Sequence, residues 1–166
     1  MWLGIDPGLD GAIGVLREDD TLAVHDMPTL KAGAGGKRVV DHASLATLLD
    51  TIHRDGCPAL AVVEAVASSP QQGVASAFSF GQCYGTIVGA LAAHFVPIRM
   101  VTPPSWKRAL RIAAGSNKDV SRRRASEIFP RSAHLWPLVK HDGRAEAALI
   151  AWHCRDLWRQ EARAAA

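Results

Sequence analysis

Features that mark secreted, membrane-spanning or disordered chains are scarce in these 166 residues. Cysteine occurs only at Cys57, Cys83 and Cys154, without a Cys-x-x-Cys pair, so neither a disulfide framework nor a thiolate zinc site is expected. No unbroken apolar run approaches the roughly 20 residues that cross a bilayer, and the first residues form a strand pattern rather than a signal peptide. A chain that is 48% hydrophobic is also not disordered. We therefore expect one folded domain over residues 1–166, with free thiols typical of the reducing cytoplasm.

The small net charge of +3 combines two halves of opposite charge. Residues 1–83 hold five basic and ten acidic side chains, whereas residues 84–166 hold fourteen and six. The basic excess is greatest over residues 99–124, where Asp119 is the single acid among eight basic residues. This pattern predicts a polyanion partner contacted mainly through its phosphates. The basic side chains are Arg99, Lys107, Arg108, Arg111, Lys118, Arg122, Arg123 and Arg124.

Apolar periodicity predicts a sheet flanked by helices. Lys31–Lys37, which is rich in glycine and alanine, is predicted as a loop, and Asp41 as the N-cap of the first helix. The succession of strands and helices favours a mixed five-stranded sheet in the order 3-2-1-4-5 with helices on both faces, the ribonuclease H-like α/β fold. The predicted strands are Trp2–Asp6, Gly11–Arg17, Thr21–Met27, Leu60–Glu64 and Val96–Val101. The predicted helices are Ala43–Arg54, Val74–Phe95, Trp106–Arg111, Lys118–Ile128 and a last helix from about Gly143 to Arg163.

Acidic residues end two of the apolar strands. Asp6 and Glu64 would emerge at the same edge of the sheet if their strands are parallel neighbours. Asp142 and Glu146, four residues apart on the last helix, repel each other unless a cation lies between them. Four carboxylates from three elements suit Mg²⁺ or Mn²⁺. Two such ions about 3.5–4 Å apart can activate a water and stabilise the leaving oxygen in phosphodiester hydrolysis. The alternatives are a turn hydrogen bond for Asp6 and a favourable helix N-terminus for Glu146.

Three further positions have two interpretations each. His141 precedes Asp142 and could bind a metal or transfer a proton, although a lone histidine is usually structural. Trp106 could stack on a base or belong to the core. The predicted long helix carries Gly81, Gly85 and Gly89 at four-residue intervals, and each glycine costs a helix about 1 kcal/mol against alanine. This row on one face predicts the close approach of another helix or strand.

Taken together, the chain resembles the RuvC family of Holliday junction resolvases. The matching segments are Gly4–Gly8 followed by Gly11-Ala12, Val62–Glu64, and Arg144–Ala151. Between them, Phe80–Gln82 and the glycine-rich helix are similar to the dimer-forming helix of that family. The resemblance covers nearly the whole chain and implies a homodimer that cuts two opposed strands of a four-way DNA junction.

The resemblance also implies a site for two Mg²⁺ ions, for which Mn²⁺ would substitute. Its ligands would be Asp6, Glu64, Glu146 and Asp142. Here the last pair is spaced by four rather than three residues and Glu146 replaces the usual aspartate, so His141 competes with Asp142 as the fourth ligand. Lys107 and Lys118 match basic residues that the family places near the cleaved strand.

The family's aromatic residue just after the strand-four glutamate is missing from Ala65–Ser69. Phe78 or the pair Gln71-Gln72 would replace it in opening the junction, unless the junction is held differently. With these departures and its compact length, the chain resembles a phage or prophage-type member of the family. Three other functions stay open: a ribonuclease H-like nuclease acting on flaps or RNA–DNA hybrids, a non-catalytic module that binds DNA junctions, and a fragment of the sugar-kinase and actin group.

Overall fold

The computed structural model describes residues 1–33, 35–65, 73–113 and 118–165. For Lys118 it describes the backbone and not the side chain. Along these ranges the chain forms seven strands and five α-helices, with five strands before the first helix. The strands are β1 (Trp2–Asp6), β2 (Ala12–Leu16), β3 (Leu22–Asp26), β4 (Thr29–Ala32), β5 (Lys37–Val40), β6 (Leu60–Glu64) and β7 (Ile98–Val101). The helices are α1 (His42–Asp55), α2 (Val74–Ala93), α3 (Pro103–Ala109), α4 (Lys118–Ile128) and α5 (Asp142–Ala164), with short 3-10 helices at Pro130–Leu135 and Val139–His141.

Five strands form one mixed sheet in the order β3-β2-β1-β6-β7. The pairs β3-β2 and β2-β1 are antiparallel, whereas β1-β6 and β6-β7 are parallel. The mixed five-stranded α/β architecture is therefore confirmed, but the predicted strand order 3-2-1-4-5 differs from the observed 3-2-1-6-7. The difference arises because two unpredicted strands come before Leu60 and shift the numbering of the last two.

Those two strands, β4 and β5, form a separate antiparallel pair in register from Thr29–Val40 to Ala32–Lys37. The prediction of a loop over Lys31–Lys37 is thus wrong at both of its ends. It rested on the scarcity of large apolar residues, but backbone pairing needs no large side chains at a solvated hairpin. Gly33 and Gly36 adopt positive φ angles of 72° and 60°, a conformation that glycine allows between the two strands.

Two apolar clusters cover the two faces of the main sheet. On one face, α1 and α2 pack through residues such as Leu45 and Ile87 against the inward side chains of β1 and β2. On the other face, α5 packs against the alternate side chains of β1, β2 and β6, and α3 and α4 pack on α5 within the same apolar cluster. Asp41 caps α1 as predicted, its side chain accepting a hydrogen bond from the Ser44 amide. Helices therefore lie on both faces of the sheet.

Helix α5 lies directly on the backbones of β1 and β2. A Cβ atom added at Gly4 would collide with the backbone of Ala147 and Ala151, and one added at Gly14 would collide with that of Ala147. Only glycine permits this close approach. The contact fixes the height of α5 above the sheet, and with it the position of Glu146, which immediately precedes Ala147.

The predicted close contact to the α2 glycines does not come from the described residues of the chain. A Cβ atom at Gly81, Gly85 or Gly89 would meet nothing within 4 Å of it there. Towards the start of the helix, Val74 and Phe78 are 87% and 65% exposed. By length and composition alone α2 is also apolar enough to cross a membrane, but one such helix is weak evidence for a membrane span.

Candidate active site

The ends of β1 and β6 bring two of the predicted acids to one edge of the sheet. These strands are parallel, with Ile5 in register with Val63, so that Asp6 and Glu64 follow as the next residues on neighbouring strands. Glu64 is only 7% exposed, and Asp6 is partly buried. The carboxyl ends of adjacent parallel strands thus hold two carboxylates in a poorly solvated place.

The first turns of α5 bring the other two acids to the same edge. Asp142 begins the helix and Glu146 follows one turn later. Burial and the negative charges of Glu64, Glu146 and Asp142 together raise the pKa of Asp6 to about 7, although the Gly8 amide opposes the rise by donating to Oδ1 at 3.2 Å. All four predicted carboxylates are therefore electrostatically coupled at one place.

Glu64 accepts a hydrogen bond from the core of the protein. The indole Nε1 of Trp106 donates to Glu64 Oε1 at 2.8 Å, and Trp106 itself is fully buried. Burial raises the pKa of Glu64, whereas the Trp106 hydrogen bond lowers it. The suggestion that Trp106 stacks on a base is therefore wrong: the indole ring is in the core and its N–H group points at a candidate ligand.

Glu146 is held by two donors from the basic segment. The ammonium group of Lys107 lies 2.9 Å from Glu146 Oε1, and the buried Ser121 hydroxyl donates to the same oxygen at 3.0 Å. Lys107 also lies over the Trp106 ring, 5.1 Å from its centroid. Lys107 therefore lies at the acidic edge of the sheet, in contact with a candidate ligand.

The neighbours of Asp142 are mixed in charge. Arg144 donates to both carboxylate oxygens of Asp26 at 2.5 Å and to the Leu135 carbonyl at 3.0 Å, which ties the start of α5 to the end of β3. Burial, followed by the charges of Arg144 and Lys140, lowers the pKa of His141. The buried Nδ1 atom of His141 has no hydrogen-bond partner among the described residues. Asp142 contributes to the pKa of Asp6, which favours it over His141 as a member of the cluster.

The donor set fits a hard divalent cation in its chemistry. Carboxylate oxygens from β1, β6 and α5 are the ligands that Mg²⁺ and Mn²⁺ prefer. The charges of Glu64, Glu146 and Asp142 raise the pKa of Asp6, and a bound cation would relieve this repulsion. Within the described ranges, no three acidic, histidine or cysteine side chains already surround one point at coordinating distance. Glu64 and Glu146 each direct Oε1 to a protein donor instead.

The predicted DNA-binding residues have different surroundings. Arg108, Arg111 and Arg123 are exposed, whereas Arg122 pairs with Asp119 at 2.8 Å. Arg124 donates to the Leu110 carbonyl at 3.0 Å and to Glu127 at 2.9 Å. A groove of about 580 Å³ runs beside α4, and residues that line it include Arg122, Arg123, Trp136 and Pro137. The side chain of Lys118 and the pair Gln71-Gln72 lie outside the described residues.

Sequence reasoning missed one functional feature of this site, the donors to the acids. Ser121 is a buried polar residue on α4, one turn before the buried Ala125. A single serine is too common in sequences to indicate a site by itself. Trp106 stands out in the sequence, yet its contact with Glu64 joins residues 42 positions apart. Only the packing of α3 against β6 reveals that contact.

No protein-family model matches the sequence. A curated protein of Pseudarthrobacter chlorophenolicus, the crossover junction endodeoxyribonuclease RuvC, is 28% identical over 153 residues, which cover 90% of this chain and 79% of the relative. The solved structure of Thermus thermophilus RuvC matches with a TM-score of 0.61 at 19% identity, over 96% of both chains. The structure of the same protein in complex with a Holliday junction substrate matches with a TM-score of 0.60 at 18% identity, over 96% of this chain and 95% of the other. These similarities confirm the resemblance predicted from the motifs: the chain is similar to RuvC in sequence over most of its length and has the same fold.

Proposed function

We propose that this protein is a metal-dependent, structure-selective endonuclease that resolves four-way DNA junctions by paired symmetric nicks. The observation that carries the proposal is the electrostatic coupling of Asp6 with Glu64, Glu146 and Asp142 at one edge of the sheet. The sequence similarity to a crossover junction endodeoxyribonuclease supports the same reaction. The three free cysteines agree with an enzyme that acts in the reducing cytoplasm of a bacterial or phage-infected cell.

In this proposal the four carboxylates hold two Mg²⁺ ions, and Mn²⁺ substitutes for them. When bound, such a pair of ions activates the attacking water and stabilises the leaving oxygen of the phosphodiester. The chain's own contribution is to exclude water around Glu64, to keep the acids at fixed positions on β1, β6 and α5, and to supply Lys107 beside Glu146. A lysine there is well placed to contact a phosphate that reaches the carboxylates.

The DNA would lie along the basic segment that leads to these acids. Arg108, Arg111 and Arg123 are exposed and suited to phosphate contacts, which position the duplex arms without reading their sequence. The groove beside α4 continues this surface. Phe78, which is 65% exposed, is the described candidate for opening the junction. Lys118 remains a DNA-binding prediction from the sequence.

Paired nicks need two sites, and we propose that α2 supplies the homodimer contact. The exposed Val74 and Phe78 lead into the open glycines Gly81, Gly85 and Gly89 on the same helix. Glycines allow two helix backbones to approach closely, which would repay their cost within each helix. A second copy of α2 is therefore the partner that this face fits best.

Cleavage assays on matched substrates test the proposed function. The purified protein should nick a four-way junction at symmetric positions in Mg²⁺, more efficiently than it cuts a flap or an RNA–DNA hybrid of the same arm sequences. Glu64→Gln should bind the junction as the unmodified protein does and should not cut it. Preferred cutting of the flap or hybrid would instead indicate another ribonuclease H-like nuclease.

Two results would contradict the assignment more deeply. Tight, salt-sensitive junction binding without nicking in Mg²⁺ or Mn²⁺ would identify a non-catalytic binding module. Cleavage by Glu64→Gln at the unmodified rate would remove Glu64 from the site. Glu18→Gln, a change of the same charge at an exposed position on the turn after β2, is the matched control and should cut normally.

A further inference from the structure

Two buried donors outside the acidic cluster each bind one of its carboxylates. The first is Trp106 of α3, which is 0% exposed and whose Nε1 donates to Glu64 Oε1 at 2.8 Å. Other members of the same apolar cluster, such as Leu110 and Phe129, have purely apolar side chains. A phenylalanine at position 106 would keep an aromatic ring in the cluster and lose only the N–H group and part of the volume, so the N–H group is the polar function that tryptophan adds there. A buried hydrogen bond to a charged acceptor is among the stronger ones.

The second donor is Ser121 of α4, which is 2% exposed. Its hydroxyl donates to Glu146 Oε1 at 3.0 Å. One turn further along the same helix, Ala125 packs into the core with no polar group. A hydroxyl in such a place costs free energy unless it is hydrogen-bonded, and Glu146 is the acceptor that satisfies it.

The two donors share one geometric pattern. Each comes from the segment between β7 and α5, and each binds Oε1 of an acid held on a different element, β6 for Glu64 and α5 for Glu146. Asp6 receives an equivalent hydrogen bond from the backbone amide of Gly8. Three carboxylates of the cluster are therefore each oriented by a defined donor. Outer donors of this kind fix the ligands of metal sites and affect metal affinity strongly.

We propose that Trp106 and Ser121 are positioning residues that hold Glu64 and Glu146 in the orientation that binds a divalent cation. This inference rests on the proposed function, because the cation site is the proposed one. Lys107 differs from the two donors, since its long flexible side chain is partly exposed and carries a charge of its own. The orienting role belongs to the two neutral, buried groups.

The test measures Mn²⁺ binding to the protein without DNA, by isothermal titration calorimetry. Trp106→Phe and Ser121→Ala keep most of the volume of each side chain and remove the donor. Each should weaken Mn²⁺ binding by about 10- to 100-fold, the range for lost outer-shell partners. Thermal unfolding of the same samples reports any general loss of structure.

The chain offers a matched control for each variant. Trp136 is also buried in the same apolar cluster, but its Nε1 donates to Ser126 Oγ at 2.9 Å and not to a carboxylate. Trp136→Phe therefore removes an equivalent indole hydrogen bond away from the site. Ser126→Ala removes a partly buried hydroxyl from the same helix as Ser121. Both controls should bind Mn²⁺ within about twofold of the unmodified protein, because neither removes a donor to the acids.

The outcomes separate this inference from the function on which it rests. Unchanged Mn²⁺ affinity in both Trp106→Phe and Ser121→Ala, or an equal loss in the controls, would overturn the positioning role while junction cleavage by the unmodified protein still upheld the function. An unmodified protein that neither binds Mn²⁺ nor cleaves junctions would overturn both. Loss of affinity confined to the two positioning variants, at unfolding temperatures no lower than those of the controls, is the expected result.

Discussion

The ammonium group of Lys107 lies 2.9 Å from Oε1 of Glu146, which joins the basic segment to the acidic cluster through a partly buried ion pair. Lys107 is expected to contact a phosphate and Glu146 to bind a metal ion, and in this structure the two side chains contact each other. The ion pair offsets part of the repulsion among the four carboxylates. A divalent cation bound at the proposed site would compete with Lys107 for this carboxylate.

Replacing Lys107 by methionine should therefore strengthen metal binding and weaken cleavage. Without the ammonium group the acidic cluster is more negative, so the Mn²⁺ dissociation constant should fall several-fold in a titration of the DNA-free protein. Junction nicking should slow, because the group beside the reacting phosphate is lost. Arg108→Met removes a neighbouring exposed cation and should leave Mn²⁺ affinity unchanged. Weaker Mn²⁺ binding by Lys107→Met would show that the lysine supports the metal site instead of competing for it.

Asp6→Asn should stabilise the metal-free protein at neutral and higher pH. The pKa of Asp6 rises from its ordinary 3.8 to about 7 on folding, so the folded state favours the protonated form. That contribution to stability is fully present below about pH 4 and is lost as the pH rises through about 7. At pH 8 the penalty has an upper limit of about 4 kcal/mol, at about 1.4 kcal/mol for each pKa unit.

Thermal unfolding in a chelator at several pH values measures this effect. The unfolding temperature of Asp6→Asn should exceed that of the unmodified protein by an amount that grows between pH 5 and pH 8. Added Mg²⁺ should reverse the order by stabilising only the unmodified protein. Glu18→Gln should show neither change. A difference that is constant with pH would mean that Asp6 keeps an ordinary pKa in the folded protein.

The strands and their terminal acids were predictable because each signal is local. An apolar run that ends in Asp6 or Glu64 is visible within five residues, and parallel neighbours bring such ends together by geometry alone. The hairpin of β4 and β5 was not predictable in this way. It has no apolar alternation of its own over Lys31–Lys37, and its pairing depends on glycines at positive φ.

The donors to the acids could not be predicted, for a different physical reason. Trp106 and Ser121 reach Glu64 and Glu146 across 42 and 25 positions of sequence, because α3 packs beside the sheet and α4 packs on α5. The same packing brings Lys107 into direct contact with Glu146, which the charge pattern alone does not show. A charge pattern shows which segment is basic, but not which of its members turn inward.

That distinction predicts different behaviour for two adjacent arginines. Arg123 is exposed, whereas Arg124 is held by the Leu110 carbonyl and Glu127. Arg123→Gln should weaken junction binding at low salt and reduce the slope of log affinity against log salt by about 1, as for one lost phosphate contact. Arg124→Gln should lower the unfolding temperature while changing the slope little. Fluorescence anisotropy of a labelled junction at several salt concentrations measures both slopes, and equal slopes for the two variants would contradict the division.

The open glycine face of α2 predicts how a substitution there affects dimer formation. A leucine at Gly85 meets no atom within 4 Å of its Cβ in the described chain, so it should fold as well as glycine and gain helix propensity. If a second α2 packs there, the same side chain blocks the close approach of the two backbones. Gly85→Leu should then be monomeric by sedimentation velocity at concentrations where the unmodified protein is dimeric, and should have an equal or higher unfolding temperature. Ala46→Leu, an exposed change on α1, should stay dimeric. Because paired incision needs two sites held together, Gly85→Leu should also accumulate singly nicked junctions, and a dimer that survives the substitution would place the contact on another face.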